Sequence, residues 1–285
     1  MSRLTATTAL VTGSTDGVGR LVAVRLGEAG ARVLVHGRDR GRGEHVVREI
    51  TERGGRAEFL RADLATLAEV RRLAAAVEGT TDRLEILVSN AGIGSGGSGA
   101  SRRQTSADGY ELRFAVNYLA GFLLTHLLMP LLTRSAPARI VNVASAGQQA
   151  IDFEDVMLTH GYSGTRAYCQ SKLAQIMFTF DLAERLQGTG VTVNALHPAT
   201  YMDTTMVRQA GVTPRSSVEE GGEAILNLAV SPALANRSGL YFNGLREARA
   251  DPQAYDRDAR RRLGALSMEL TGLDGGSEGG TRSQL

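Results

Sequence analysis

Tyr168 and Lys172 stand four residues apart in the stretch TRAYCQSKLAQIMFTFDLAERL, residues 165–186. In a helix that spacing stacks two side chains on one face. A phenol with its ordinary pKa near 10 becomes a useful proton donor and acceptor when a cation within about 4–6 Å lowers that value by roughly 1–3 units. Lys172 is the one lysine among 32 basic residues. Arginine is wider and does not readily give up a proton, so a site needing a compact cation would exclude it. Leu173, Ile176, Met177 and Phe180 form a separate apolar stripe suited to a core. Cys169 follows the tyrosine, points off its face, and reads as a helix filler rather than a nucleophile. A second chemical cluster lies at the other end of the chain. Gly13, Gly17 and Gly19 in TGSTDGVG close a first strand and open a first helix. Such a turn lets backbone approach a pyrophosphate, with the helix N-terminus supplying N–H donors and a positive dipole.

The elements that must position these groups alternate strand and helix. Short apolar runs predict strands at 6–11, 32–36, 57–60, 84–88, 140–143, 191–195 and 239–242. Helical periodicity covers 18–29, 40–53, 66–78, 110–133, 165–186, 217–230 and 251–270. Seven strands alternating with helices predict a single-domain α/β fold, a Rossmann-type doubly wound parallel sheet with helices on both faces. The boundaries expected are 1–245 for the nucleotide-binding and catalytic domain, 246–273 for a C-terminal helical extension, and 274–285, DGGSEGGTRSQL, for a disordered tail. Residues 94–109 are rich in glycine and serine and read as a flexible surface loop. The segments 146–164 and 196–215 are long for connections, which makes them candidates for substrate loops.

Composition removes several classes of function. The chain has 285 residues, 42% of them hydrophobic and 22% charged, as in an ordinary soluble globular protein. A formal net charge of +2 with dispersed arginines gives no argument for nucleic acid. A single cysteine excludes an intramolecular disulfide and fits a reducing compartment. The histidines at 36, 45, 126, 160 and 197 lack ligand spacing, so no metal site is expected. No secretory signal is visible after Met1. Residues 114–133 carry no Asp, Glu, Lys or Arg, but Asn117, Thr125, His126 and Pro130 interrupt them, and a buried helix is the reading rather than a membrane span. A cytoplasmic protein without membrane or nucleic-acid partners is therefore expected.

In open sheets of this kind ligands bind beyond the carboxyl ends of the strands, and every unusual polar cluster falls there. The TGxxxGxG turn at 12–19, Asn90-Ala91-Gly92 after the fourth strand, Asp63 after the third, and the set Asn117, Ser145, Tyr168 and Lys172 come in that order. Over residues 5–245 the chain resembles the short-chain dehydrogenase/reductase family. RAYCQSKLA with IDFEDVMLTHGYSG (151–164) is similar to its retinol-dehydrogenase-like and WW-domain-oxidoreductase branch. The resemblance implies an NAD(P)-dependent oxidoreductase working on a lipophilic alcohol, ketone or aldehyde. Tyr168 would serve as general acid in reduction and base in oxidation, Lys172 as its cation, and Ser145 as the hydrogen bond to the substrate oxygen. Asn117 would belong to a water relay toward Lys172. The cofactor would lie on Gly13, Ser14, Thr15, Asp16, Gly17, Val18 and Gly19, then on Arg38, Asp63, Leu64, Asn90, Ala91 and Gly92, with Tyr168, Lys172, Pro198 and Thr204 at the nicotinamide end. A catalytically idle, nucleotide-binding sensor or scaffold of the same fold is the alternative. The resemblance also implies pairing of the two long apolar helices in a homodimer or homotetramer, a monomer staying open.

Two departures from the family pattern matter. After the sixth strand the chain reads His197-Pro198-Ala199-Thr200-Tyr201-Met202-Asp203-Thr204; Ala199 replaces a glycine, and Asp203 stands where a threonine is often found, with Thr204 one residue later. The 23 residues from Ser145 to Tyr168 are more than most of the family has. Phe153, Val156, Met157, Leu158 and Tyr162 in that insertion are expected to close over a lipophilic substrate rather than bury themselves, so that shortening 151–162 weakens bulky ketones more than small ones. Cofactor choice is read at the end of the second strand. An NAD-binding site needs a carboxylate there for the ribose 2′-hydroxyl; Gly37 occupies that position and Arg38 follows, suited to a 2′-phosphate. Asp39 comes late and should point elsewhere, while Asp16 stands where its charge would oppose the phosphate. One direct charge-assisted contact outweighs a screened repulsion, giving an expected preference for NADP(H) over NAD(H) of roughly ten- to a hundredfold.

Overall fold

The computed structural model describes residues 4–96 and 102–273. Strand β1, Thr8–Val11, shows the logic of the sheet in four residues. Ala9 and Val11 pack into one core and Leu10 into another, because successive side chains of a strand point to opposite faces. Both faces are covered, so the strand reads as a continuous apolar run. The remaining strands are β2 Arg32–Gly37, β3 Arg56–Arg61, β4 Ile86–Ser89, β5 Ala138–Val143, β6 Val191–His197, β7 Tyr241–Asn243 and β8 Arg246–Glu247. Their order in the sheet is β3-β2-β1-β4-β5-β6-β7-β8. All pairings are parallel except β7 with β8. The expected seven-stranded parallel sheet is thus present, extended by a two-residue antiparallel edge strand too short to have a sequence period. The order reverses between β1 and β4, which puts the crevice for a ligand beyond the carboxyl ends of those strands.

One face carries α1 Gly17–Glu28, α2 Arg40–Glu52 and α7 Val218–Val230. The other carries α3 Leu67–Thr80, α4 Ala120–Arg134, α5 Gly164–Arg185 and α8 Arg257–Thr271. A short α6, Thr205–Gln209, interrupts what the sequence reads as a continuous loop at 196–215. Asp16 caps α1, and Asp39 caps α2 by accepting from the Arg42 N–H, so Asp39 does point away from the end of β2.

The helix expected over 110–133 contains a π-helical turn, Phe114–Leu119, before α4 begins. Wide turns of this sort collect at functional sites, and Asn117 is inside this one. The helix Phe114–Arg134 is long and apolar enough to cross a membrane, yet 67% of its most apolar window is buried within the fold. The segment 146–164 departs from expectation. Ile151 and Val156 belong to the core, Leu158 is buried as well, and the Gln253 amide clamps Ile151 through both of its backbone groups. Their burial leaves the insertion as packing rather than a cover for substrate. The expected surface loop at 94–109 and the expected disordered tail at 274–285 lie in part or wholly outside the described residues.

The extension beyond β8 consists of a 3₁₀ turn, Pro252–Tyr255, and α8. It lies across α5 and the π-helical turn: Tyr118 and Ser267 share a hydrogen bond of 2.7 Å between their hydroxyls, Arg260 reaches Glu184 at 2.7 Å, and Leu263 enters the core. Every residue of α5 from 170 to 180 is buried.

Candidate active site

The glycine turn is built against the end of β4. Gly13 has φ +64°, and a Cβ there would come within 2.8 Å of the Ala91 backbone. Thr12 holds the two segments together: its Oγ1 accepts from the N–H groups of Asn90 and Ala91 at 2.9 and 3.0 Å. The Asn90 amide returns two bonds to the carbonyls of Thr12 and Gly13. Ser14 donates to the Val11 carbonyl and accepts from the His36 N–H, which leaves its side chain inside the turn. Val18 and Leu64 are buried, so their side chains belong to the core. Ser14, Asn90, Val18 and Leu64, expected as cofactor contacts, are therefore builders of the cradle rather than side chains facing it.

His36 has no place in the sequence reading of the site, and Thr12 enters it only as the first letter of the TGxxxGxG turn. The His36 Nδ1 accepts from the Gly13 N–H at 3.1 Å. Burial pushes this imidazole down to about 4, so it stays neutral in its supporting role. Beside it, a Cβ on Gly37 would fall 2.4 Å from the Thr15 side chain. The end of β2 thus packs directly on the glycine turn, and only a residue without a side chain allows Thr15 that close approach. Arg38, 69% exposed at its side chain, lies 3.9 Å from the Asp63 carboxylate. Arg42, from the first turn of α2, lies 3.7 Å from the Asp16 carboxylate. A basin of about 340 Å³ opens here, lined by Thr15, Asp16, Arg20, Gly41, Arg42, His45 and Thr205.

At the other end of the crevice, Ser145 follows β5, and Tyr168 and Lys172 come from α5. A Cβ on Gly147 would stand 3.5 Å from Ser145 Oγ, 3.7 Å from the Tyr168 ring and 3.4 Å from Cys169 Sγ. The serine hydroxyl and the phenol ring thus flank one point, and the Cys169 thiol, which burial pushes up, borders it. The Lys172 ammonium lies 5.8 Å from the Tyr168 ring centroid. It donates to the Val143 carbonyl and to Gln175 Oε1, each at 2.9 Å. Burial pushes Lys172 down to about 7. Burial also raises the Tyr168 phenol, with the Ser145 hydroxyl acting in the opposite direction. In the free protein, desolvation therefore outweighs the pull of the lysine that the sequence leads one to expect.

Asn117 closes the back of the site. Its amide oxygen accepts from the Ile93 N–H at 2.7 Å, and its amide nitrogen donates to the Ile93 carbonyl at 3.1 Å and to Ser171 Oγ at 2.9 Å. Ser171 in turn donates to the Tyr168 carbonyl at 2.7 Å. A Cβ on Gly92 would meet Asn117 Oδ1 at 3.1 Å and the Lys172 ammonium at 3.5 Å. The four expected catalytic residues are therefore together, Asn117 clamping the strand-end loop with its side chain.

The loop after β6 folds back over the glycine turn from Pro198, which is buried. Thr204 caps α6, and its methyl lies 3.2 Å from the Cβ position of Gly17. Asp203 pairs outward with Arg208 at 2.6 Å. Of these two neighbours, Thr204 is the one that faces the turn. Tyr201, at φ +48°, and Met206 are exposed on the same loop, and Gly94 lies against Met206 on the opposite lip. Tyr162, expected to face substrate, instead donates to Glu111 at 3.0 Å and accepts from Arg113 at 2.6 Å. Arg113 also binds the Gly94 carbonyl, so this buried cluster pins the lip in place.

A turn of glycines opening a helix at the switch point of a parallel sheet, with a serine, a tyrosine and a lysine gathered across the crevice, defines a nucleotide-dependent oxidoreductase site. A family model for short chain dehydrogenases matches residues 7–214. The chain belongs to the short-chain dehydrogenase/reductase family. Within it the chain falls in the retinol-dehydrogenase-like branch. It is 37% identical to retinol dehydrogenase 13 of Homo sapiens, over 94% of this chain and 85% of that protein. It is 35% identical to dehydrogenase/reductase SDR family member 13 of Bos taurus, over 98% of this chain and 76% of that protein. Among solved structures, an uncharacterized protein from Mycobacterium Paratuberculosis superposes with a TM-score of 0.78 at 27% identity, covering 95% of this chain and 96% of that one. The Pseudomonas aeruginosa RhlG/NADP active-site complex gives a TM-score of 0.68 at 30% identity, covering 85% and 95%.

Proposed function

We propose that the protein is an NADP(H)-preferring oxidoreductase that interconverts a lipophilic alcohol with its ketone or aldehyde, with Tyr168 as general acid and base. The observation that carries this reading is the convergence of the Ser145 hydroxyl and the Tyr168 ring on the space beside Gly147, with the Lys172 ammonium behind the ring. A nicotinamide dinucleotide bound in the crevice would supply or accept the hydride. The basin bordered by Thr15, Asp16 and Arg42 and the N-terminus of α1 suit its ribose and pyrophosphate. Ser145 would hold the substrate oxygen, and Tyr168 would give that oxygen its proton in reduction or remove it in oxidation. Lys172 and the positive charge of an oxidised nicotinamide would both act against the burial that holds the phenol up.

The 2′-phosphate preference has support at the end of β2. No carboxylate occupies position 37, and Arg38 is exposed and free to turn from Asp63. The feature weighing against it, the Asp16 carboxylate, is offset by Arg42. The lipophilic substrate class is supported by the relatives named retinol dehydrogenases and by the exposed Tyr201 and Met206 at the mouth. Turnover of a panel of ketones, aldehydes and alcohols with NADPH and NADH tests the whole reading. NADPH should be favoured roughly ten- to a hundredfold, and Arg38→Asp should erase that preference. Tyr168→Phe should lose about a hundredfold or more in rate while still binding nucleotide. A phenylalanine variant that keeps most of its rate sinks the acid–base assignment.

A further inference from the structure

Lys172 is a cation without a counter-ion. The residue is 5% exposed, and burial pushes its titration down. The groups around it are neutral. Tyr168 lies along the same helix, Asn117 comes from the π-helical turn, Gly92 from the loop after β4, and the Val143 carbonyl from β5. The remaining partner is Gln175, one helical turn on, in the part of α5 that is buried on every side. A buried amide is costly unless it is used. An ammonium has three donors and no acceptor, so the carbonyl end of Gln175 is the end that must face it. The turn carrying Gln175 is also anchored: its backbone carbonyl accepts from Thr179 Oγ1 at 2.8 Å, and Thr179 accepts from Asn142 on β5 at 2.9 Å.

We propose that Gln175 is a positioning residue whose side-chain oxygen keeps the Lys172 ammonium charged and fixed beside Tyr168. Nothing in the motif around the tyrosine assigns a role to this position. The inference rests on the activity proposed above, yet its test does not need that activity, because Lys172 is the only lysine in the chain. Protein labelled with ¹³C at lysine Cε gives a single side-chain signal, so the ammonium can be titrated directly in the cofactor-free protein. Gln175→Leu keeps the volume and removes the acceptor; its midpoint should fall by about one to two pH units. Gln175→Glu puts a carboxylate at the same place and should raise the midpoint by a unit or more, roughly. The pH at which turnover is lost on the alkaline side should move in the same order. A leucine variant with an unmoved midpoint, or two variants shifted in the same direction, would overturn the assignment, as would midpoints that move while the pH profile of turnover does not. A wild type that turns over nothing leaves the lysine titration readable, so the two readings can fail separately.

Discussion

His36 supports the cofactor turn from beneath, and its chemistry makes that support depend on pH. In the folded chain its imidazole is held at about 4 against an ordinary 6.5. Between those values the unfolded chain binds the extra proton, so stability rises with pH across that window. The contribution is complete above pH 6.5 and is lost as the pH falls through about 4, a span worth roughly 3 kcal/mol. His36→Asn keeps an acceptor for the Gly13 N–H and cannot titrate. Urea unfolding at several pH values should show a shallower acid loss in that variant; parallel curves would mean other groups dominate. The sequence showed Tyr168, Lys172 and Ser145 plainly, since their roles follow from local spacing and position at strand ends. It did not show what Thr12, His36 or Gln175 do. Thr12 matters through residues 76 to 79 positions away, and Gln175 through the burial of its whole helix turn. A polar residue at the apolar end of a strand, as at His36, is the one available signal.

Among the elements, the strands and long helices were legible because a parallel sheet demands continuous apolar runs and its helices a 3.6 period. What escaped were elements with no period of their own: the π-helical turn, α6 and β8. The insertion at 151–164 was misread for a related reason. Apolar residues in a long connection do not say whether they will meet substrate or be buried, and Leu158 is buried from a left-handed backbone (φ +48°) that no leucine announces. Leu158→Ala should cost about 2–5 kcal/mol of stability, measured by denaturant unfolding. Its effect on kcat/KM should be similar for small and bulky ketones. A selective loss for bulky substrates would restore the loop to the binding site.

For the whole molecule, a face of α5 and of the π-helical turn, on the pair of helices that the resemblance offers to a second copy, is taken by the extension beyond β8. The polar seam of Tyr118 with Ser267 and Arg260 with Glu184, and the tilted aromatic pair Phe180 and Tyr255 at 5.2 Å, occupy it within one chain. Light scattering should therefore give a monomer mass. Leu263→Asp, which places a charge where α8 enters the core, should lower Tm and raise the average mass as the apolar helices are uncovered. A wild-type dimer whose mass is insensitive to this change would place its interface elsewhere.

The same arrangement has a consequence for synthesis. Chains grow from the N-terminus at about 5–20 residues per second, and the helix bearing Tyr168 is finished well before its outer cover exists. From then until α8 is made, a strip of leucine, phenylalanine and methionine faces solvent or the ribosome surface. Nascent chains ending before residue 257 should be captured by chaperones and accessible to protease along α5, whereas the released full-length chain should not. Completion of α8 is, on this account, the step at which α5 stops being a folding hazard.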